Sequence, residues 1–400
     1  MDHAELVGRT GSDDRGRPQP RVWILPRHGG IAPQLIQAGE GERAAVAPAD
    51  VDGLLGRARL LLPFVIAVGR QQAAPLGEGA PERWLLCHGL GPRILAAGII
   101  DGSGPLAIGL ARTDTPEQAR EWVDRYHQTG FQQVKIYSSV KLPQIAAAAA
   151  QAHKLGMTAT GHIPEGITTR EAVEAGQDQI SHIQYVLQMM TPSFPAGTKR
   201  ADRLRAMSDI DLNSDAAKKE IAFLKEHHTV IDPTLVIYEM GTASTAKPFD
   251  TFEPGAAKVA PELAQALFDV GPPGENSALQ EKLFEKYVAL VGKLHAAGVP
   301  VVVGTDQTVP GHSVHREVEL YTKAGFTPME AIQAATIVPA RAMGMDKELG
   351  TVEAGKRADL ILVKGNPLED IHNIRNIEFV MTNGKMLKTD PLWESVGFLP

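Results

Sequence analysis

Four residues whose side chains can bind a metal or transfer a proton each stand at the end of a short apolar run. They are Lys135 in VKIY, His162 in TGHIP, His182 in ISHIQ and Asp306 in VVVGTD. A buried strand that ends in such a residue carries a polar group that an apolar interior does not solvate. Four of them in order along the chain therefore predict one shared polar centre. Imidazole and carboxylate groups suit a divalent metal or proton transfer at that centre.

Each of these residues also has a purely structural interpretation. A lone histidine at a strand end is more often hydrogen-bonded structure than a metal ligand. An aspartate at the carboxyl end of a barrel strand is about as often functional as structural, because barrel active sites lie on that face. Lys135 is the most unusual residue, since a buried ammonium must pair with an acid, lose its proton or be chemically modified. The order and spacing of the set favour function.

Alternating strands and helices are expected to position these residues from about residue 91 onward. The predicted strands are PRILAAGII (92–100), VKIY, MTATGHI and QISHI. Capping-box and proline signals start the intervening helices at Thr115, Pro143 and Thr168, and glycines at 130, 156 and 176 end them. The chemical residues are thus one strand–helix unit apart, which places them at the carboxyl ends of successive parallel strands.

Longer units follow. The segments TVIDPTLVIY (229–238) and VPVVVGTD (299–306) are predicted strands, with a Pro/Gly-rich insertion near 244–276 between them, and Thr327 caps the final helix. An alternating pattern over roughly 250 residues, without a GxGxxG turn, favours an α/β fold of the (β/α)8 TIM-barrel type over a doubly wound sheet. Six of the eight strands fall after residue 91, so two are expected within residues 1–90.

The pattern changes after Gly350. Short apolar segments alternate with Asn/Gly turns, and Asn383-Gly384 is a strong hairpin signal. This predicts a small β-sandwich domain at the C-terminal end. The expected organisation is an atypical N-terminal segment (1–90), a (β/α) barrel (91–346) and a small β part with a tail (347–400).

Composition excludes several classes of function. The chain has 400 residues, 43% of them hydrophobic, which is enough for a large core. A net charge of -7 without a basic stripe predicts no nucleic-acid partner, and the lack of an 18-residue apolar run predicts no membrane span. The single Cys87 excludes a disulfide framework, so a metal would use His, Lys-derived and carboxylate ligands.

These features favour a small-molecule substrate and leave a homo-oligomer open. The first residues carry charges of both signs and no apolar signal region, which predicts a cytoplasmic protein. A different true N-terminus would leave export open.

The chain resembles the amidohydrolase superfamily. The resemblance rests on the run TPMEAIQAATIVPARAMGMDKELGTVEAGKRADLILVKGNPLEDI, the preceding GTD and the order Lys, His, His, Asp. Within the superfamily it is most similar to the branch of imidazolonepropionase-like proteins and metal-dependent prolidases. It covers about residues 91–396, including IIDGSGP, VKIYSSV, GHIPEG, PGHSVHREVEL and LWESVGF.

The resemblance implies a binuclear metal centre. Lys135, carboxylated by carbon dioxide, would bridge two metals, and His162 and His182 would bind the more exposed one. Asp306 would bind the buried metal and act as the catalytic base, taking a proton from a metal-activated water and passing it to the leaving nitrogen of an amide. Zinc is the expected metal at about one or two ions per chain, although manganese, cobalt or iron suits these ligands too.

Substrate-binding residues are predicted next to the metal ligands. Tyr137 and Tyr185 follow Lys135 and His182 closely, so their hydroxyls could orient a substrate, or their rings could pack in the wall. His312 and His315 follow Asp306 on a loop with Pro310-Gly311, where they could contact a substrate or face solvent.

One family feature is missing. The resemblance implies an HxH pair at the end of the first barrel strand, yet none of the 13 histidines forms HxH, and the nearest candidates, His28 and His88, stand alone. Three explanations are open: translation of residues 1 to about 88 out of the native frame, degeneration into a non-catalytic barrel, or a site rebuilt with His28.

Two functions therefore remain. The first is a metal-dependent hydrolase of a carbon–nitrogen bond in a small amide, dipeptide or cyclic amide. The second is a pseudoenzyme or truncated barrel that binds a small ligand or one metal without turnover.

Overall fold

The computed structural model of the chain describes residues 92–104, 107–108, 111–191, 194, 198–306, 308–382 and 384–400. Several features of the sequence analysis lie outside the described residues. They are the two strands expected within residues 1–90, the histidines His28 and His88, and Cys87. The statements below concern the described residues alone.

The first half of the described chain is built on a parallel sheet. Its strands are β1 (Ala97–Asp101), β2 (Ala111–Arg112), β3 (Gln133–Ile136) and β4 (Thr158–Gly161), in the order β2-β1-β3-β4. Lys135 of β3 lies opposite Ile99 on one side and Thr160 on the other. The strands expected at VKIY and TATG are thereby confirmed.

A second parallel pair continues this arrangement. It consists of β5 (Gln179–Ser181) and β6 (Val230–Asp232), in which Ser181 lies opposite Asp232. The amide of Asp178 donates to the carbonyl of Ala159 at 2.9 Å, and Ile231 forms a parallel bridge with Val301. The strands therefore follow one another in space nearly in chain order. Within the described residues they make an α/β fold of open parallel sheets and not a closed barrel.

Helices connect the strands. Both α1 (Pro116–Gln128) and α3 (Thr169–Glu174) begin with the capping boxes expected at Thr115 and Thr168, and α2 (Leu142–Lys154) begins at the expected proline signal. The other α-helices are α4 (Ile183–Met189), α5 (Arg200–Ser208), α6 (Asp215–Glu226), α7 (Leu235–Met240), α8 (Pro261–Phe268), α9 (Ser277–Ala297), α10 (Ser313–Lys323), α11 (Pro328–Ala334) and α12 (Ile337–Ala342). Short 3-10 helices lie at Phe249–Thr251, Pro254–Ala257 and Ile371–Arg375. None of the described helices is long and apolar enough to cross a bilayer.

The core lies between the strands and their helices. Val134 and Ile136 of β3 are fully buried against residues of α1 and α2, and Ile231 of β6 is buried in a second cluster with α6 and α9. Because side chains alternate along a strand, the residues between these positions face the other side of the sheet. Lys135 and Asp232 occupy that side.

The strand expected over residues 229–238 was wrong in its second half. It ends at Asp232 and the helix α7 begins at Leu235. Pro233 has no amide to donate to a sheet, which ends the ladder. The buried carboxyl group of Glu317 then accepts hydrogen bonds from the amides of Leu235 and Val236, both at 2.9 Å. These are amides that a helix start leaves without an intrahelical partner.

The C-terminal part forms an antiparallel sheet. Its strands are β7 (Leu360–Val363), β8 (Ile377–Thr382) and β9 (Lys385–Lys388), in the order β7-β8-β9. Thr382 pairs with Lys385, so β8 and β9 form an antiparallel hairpin as expected, and Asn383 of the expected turn lies outside the described residues. A short helix, α13 (Thr389–Ser395), follows and was not predicted.

Candidate metal centre

Two histidine side chains face each other beyond the ends of β4 and β5. The Nε2 atoms of His162 and His182 are 3.1 Å apart, and the ring centroids are 4.9 Å apart. Two nitrogen ligands of one tetrahedral zinc ion, each about 2.0–2.1 Å from the metal, stand about 3.3–3.4 Å apart. The observed separation is therefore close to that of two ligands of a single metal ion.

The other ring nitrogen of each histidine has a hydroxyl partner. His182 Nδ1 lies 2.8 Å from Thr234 Oγ1, and His162 Nδ1 lies 3.3 Å from Ser138 Oγ. Metal-binding histidines usually use their second nitrogen in this way, which fixes the ring and its tautomer. The sequence analysis missed Ser138 and Thr234, because isolated hydroxyl residues in a loop carry no spacing signal.

Burial keeps both imidazoles neutral. Burial, then the charges of His182 and Lys135, hold the pKa of His162 well below its usual value. Burial also lowers the pKa of His182 to about 4, although the charge of Asp306 opposes this shift. A neutral imidazole is the form that binds a metal.

The backbone at the site is held in uncommon conformations. Among the described residues other than glycine, φ is positive at His182 (77°), Thr234 (51°), Asp306 (45°) and His228 (52°). Three of these four residues belong to the site. Positive φ is unfavourable for a residue with a Cβ atom, and such residues concentrate at functional sites.

Lys135 and Asp306 are the other two residues predicted for this site. Lys135 Nζ lies 6.0 Å from the ring centroid of Tyr137, and its charge lowers the pKa of both histidines. Asp306 is exposed, and the charge of its carboxylate raises the pKa of His182.

Both predicted tyrosines lie beside the histidines. The ring of Tyr137 is 4.4 Å from that of His162, and the ring of Tyr185 is 6.0 Å from His162 and 6.3 Å from His182. Burial, followed by the charge of Asp306, raises the pKa of Tyr137 to about 12, so its hydroxyl remains a hydrogen-bond donor at neutral pH.

The histidines after Asp306 make other contacts. The ring of His312 stacks on Trp393 of α13 at 4.6 Å, and His315 is buried on α10. Burial lowers the pKa of both to about 4, helped by the charge of Arg375. The ring contacts of His312 thus join it to the C-terminal part. Substrate contact by His312 and His315 stays a prediction.

The sequence analysis did not identify Asp232 as a candidate residue. Asp232 ends β6, and its buried Oδ1 has no hydrogen-bond partner among the described residues. Burial raises its pKa to about 7, while the charge of Lys135 acts in the opposite direction. The apolar run TVI followed by Asp is the same signal that selected Asp306. It was overlooked because the apolar residues resume after Pro233.

These residues fit a divalent metal. The described residues contain no group of three or more His, Cys, Asp or Glu side chains arranged as a metal site, so the fit rests on a pair. The two neutral imidazoles bring their Nε2 atoms within hydrogen-bond distance of each other, and the charges of Lys135 and Asp306 act on His182. A cavity of about 320 Å³ lies at the opposite ends of β3 and β4, where Gln132 and Thr158 line it.

Comparison with known proteins gives a family match. The amidohydrolase family model matches residues 86–387. The 5-methylthioadenosine/S-adenosylhomocysteine deaminase of Moorella thermoacetica is 37% identical over 123 residues, which are 25% of this chain and 29% of that protein. The imidazolonepropionase of Shouchella clausii is 34% identical over 99 residues, 23% of this chain and 22% of that protein. These alignments span less than a third of either relative.

Solved structures share the fold. A bottromycin amidohydrolase superposes with a TM-score of 0.57 at 20% identity, covering 80% of this chain and 71% of that chain. A Xaa-Pro dipeptidase with methionine bound in its active site gives a TM-score of 0.51 at 22% identity, covering 76% and 70%. At these identities the similarity concerns the fold.

Proposed function

Because the chain belongs to the amidohydrolase family, we propose that it is a metal-dependent hydrolase of a carbon–nitrogen bond in a small amide, dipeptide or cyclic amide. The observation that carries the proposal is the pair of neutral imidazoles whose Nε2 atoms stand 3.1 Å apart. The match to an imidazolonepropionase and the fold shared with a Xaa-Pro dipeptidase agree with the branch that the sequence resembles.

The proposal includes a closed barrel. Six strands of a (β/α)8 barrel would be β1, β3, β4, β5, β6 and the segment at Val301. The strands β7–β9 would belong to a small β-sandwich. Support comes from the parallel pairing of these strands and from their order in space, which follows the chain. In such a barrel Lys135, His162, His182 and Asp306 would share the face where barrel active sites lie.

The ligands of the metal would be His162 and His182, with Lys135 and Asp306 as the further members of the set. Zinc suits this combination of imidazole and oxygen ligands best. When bound, the metal would polarise the substrate carbonyl and lower the pKa of water.

The remaining work falls to side chains of this chain. Asp306 is an exposed carboxylate beside His182, so it can accept a proton and donate it to the leaving nitrogen. Tyr137 keeps its proton and can donate a hydrogen bond to a substrate oxygen. Thr234 and Ser138 hold the imidazoles in place. The wall formed by Tyr137 and Tyr185 suits a small substrate with an apolar or planar part.

Substitution of the histidine pair tests the proposal. His182→Asn and His162→Asn should each lower kcat/KM on dipeptide and cyclic-amide substrates by at least ~100-fold, because a metal ligand is lost. His153→Asn is the matched control, since His153 is exposed and pairs with Asp178 near the opposite ends of the strands. Asp306→Asn should abolish turnover while the fold is kept. Unchanged turnover in Asp306→Asn would remove the assigned proton transfer.

A further inference from the structure

The loop between Asp306 and helix α10 is covered by an aromatic side chain of helix α13. The ring of Trp393 stacks on the ring of His312, with 4.6 Å between the centroids and 8° between the ring planes. A Cβ atom added to Gly311 would overlap the same indole ring. Trp393 therefore lies against two successive residues of this loop. Asp306, to which the proton transfer is assigned, begins the loop.

Packing fixes the position of the His312 ring. Its Nε2 atom is buried and has no hydrogen-bond partner among the described residues. The side chain also lies against Gly255 of a 3-10 helix, where an added Cβ atom would overlap Cβ and Cγ of His312. Side chains in close-packed surroundings sit where their neighbours leave room for them. Removal of the Trp393 ring would therefore take away one of the contacts that fix the imidazole.

The loop connects the position of His312 to that of Asp306. The amides of His312 and Ser313 both donate to the carbonyl of Val309 at 3.0 Å, and the Ser313 hydroxyl accepts a hydrogen bond from the amide of Val309 at 2.8 Å. Asp306 lies just before this closed turn and has a φ of 45°. A residue with a Cβ atom keeps such a conformation only where the surrounding structure enforces it. The carboxylate of Asp306 thus depends on how the loop is held.

The chain on either side of Trp393 is attached to other parts of the fold. The hydroxyl of Thr389, the first residue of α13, donates to the carbonyl of Ile377 in β8 at 2.6 Å. After the helix, Phe398 packs against the apolar cluster that contains the buried Val309. The helix is therefore fixed at both ends, and its indole ring has a defined place above the loop.

We propose that Trp393 is a positioning residue for the reaction. Its indole ring holds His312 and, through the loop, keeps the carboxylate of Asp306 where proton transfer requires it. The inference rests on the proposed function, because it concerns the reaction assigned to Asp306. It gives the C-terminal part a role in that reaction. Asp306 remains the group that meets the substrate.

Hydrogen exchange of the loop amides tests the contact without any substrate. In Trp393→Ala, exchange at His312 and Ser313 should accelerate at least ~10-fold, because the turn that these amides close has lost its cover. Trp393→Phe keeps a flat ring against the imidazole, so its loop should exchange at nearly the wild-type rate. Val396→Ala is the matched control, since Val396 directly follows the same helix and is 60% exposed. Its loop amides should exchange as in the wild type.

The turnover rate separates a positioning role from a structural one. We expect kcat per folded, zinc-loaded chain to fall about 10–100-fold in Trp393→Ala, because a small displacement of a reacting group slows a reaction strongly. Trp393→Phe should restore most of this rate, and Val396→Ala should match the wild type. A residue that only stabilises the fold would lower the yield of folded protein or its unfolding temperature, and this kcat would stay unchanged.

The outcomes distinguish the inference from the proposed function. Unchanged exchange at His312 and Ser313 in Trp393→Ala would overturn the inference, whatever the activity. Faster exchange together with an unchanged kcat would also overturn it, because the loop would then not position Asp306. If the wild type hydrolyses no amide, the proposed function and the role of Trp393 in it both fail, even where hydrogen exchange shows that Trp393 holds the loop.

Discussion

At the scale of single residues, the site depends on how two imidazoles are held. The Nδ1 atoms of His162 and His182 are engaged by hydroxyl groups, and the Nε2 atoms face each other at 3.1 Å, where a bound metal would replace their mutual contact. The sequence indicated both histidines, Lys135 and Asp306, because each ends an apolar run. It could not indicate Thr234 or Ser138, since their roles depend on loops whose conformation is set by tertiary packing.

Thr234→Val removes the hydroxyl partner of His182 and keeps the branched shape. Zinc affinity should fall about 10–100-fold, because an outer hydrogen bond fixes the orientation and basicity of a metal-binding histidine. Calorimetric titration measures this change. Thr129→Val is the control, since the Thr129 hydroxyl bonds to the carbonyls of Arg125 and Tyr126 in the preceding helix turn, away from the histidines. Equal zinc affinity in Thr234→Val and Thr129→Val would show that the hydroxyl does not orient His182.

Gly161 places His162 by allowing a close approach between strands. Its φ is +124°, and a Cβ atom there would overlap the carbonyl oxygen of Ile136. Gly161→Ala should lower the free energy of unfolding by about 1–3 kcal/mol through backbone strain, with a further loss from the clash. Gly156→Ala is the matched control, because Gly156 also has positive φ (+72°) but an added Cβ atom would meet no described atom within 4 Å. Urea denaturation of both variants should show the larger loss at Gly161, and equal losses would contradict the clash.

At the scale of elements, local sequence signals predicted most boundaries. The capping boxes at Thr115, Thr168 and Thr327 start helices as expected, since side chain and backbone satisfy each other locally. The segment after β6 could not be predicted in this way. The start of helix α7 in this segment depends on Glu317, which lies far along the chain. The carboxyl group of Glu317 accepts hydrogen bonds from the amides of Leu235 and Val236.

Glu317 should give the protein a distinct pH dependence. Burial raises the pKa of Glu317 to about 8, from 4.5 for a solvated carboxyl, against the opposing effect of its backbone hydrogen bonds. A raised pKa means that the folded state binds the proton more tightly than the unfolded state. The stability from this group is complete below pH 4.5 and is lost as the pH rises towards 8.

Glu317→Gln isolates this contribution. The wild type should lose unfolding free energy relative to Glu317→Gln between pH 5 and 8, a window that follows from the raised pKa. Urea denaturation across that range measures the difference. Parallel pH profiles of the two proteins would contradict the assignment.

At the scale of the whole described chain, a buried charge network joins distant segments. Arg375 binds Glu253 at 2.8 Å and also Glu319, while Arg316 binds Glu239 at 2.7 Å and Glu319 at 3.0 Å. The network connects the helices α7 and α10 to the 3-10 helices Pro254–Ala257 and Ile371–Arg375. No local pattern predicts such a network, because its bonded partners are up to 122 residues apart in the chain.

Arg375→Gln should destabilise the protein strongly. It leaves the carboxylate of Glu253, which is 1% exposed, without its charged partner. Breaking a buried pair from one side costs about 3–5 kcal/mol. Arg205→Gln is the control, because the Arg205–Asp202 pair is exposed on both sides. Denaturant unfolding should show a large loss for the first variant and little change for the second. Equal stabilities would mean that the network contributes no more than a surface pair.

The central claim is that this chain binds a catalytic metal through the His162–His182 pair. The most direct test is the metal content per chain of zinc-equilibrated, gel-filtered wild type and His182→Asn, measured by mass spectrometry. We expect about one or two zinc ions in the wild type and a clear loss in the variant. A wild type that holds no more zinc than His182→Asn would contradict the claim and favour a barrel without turnover.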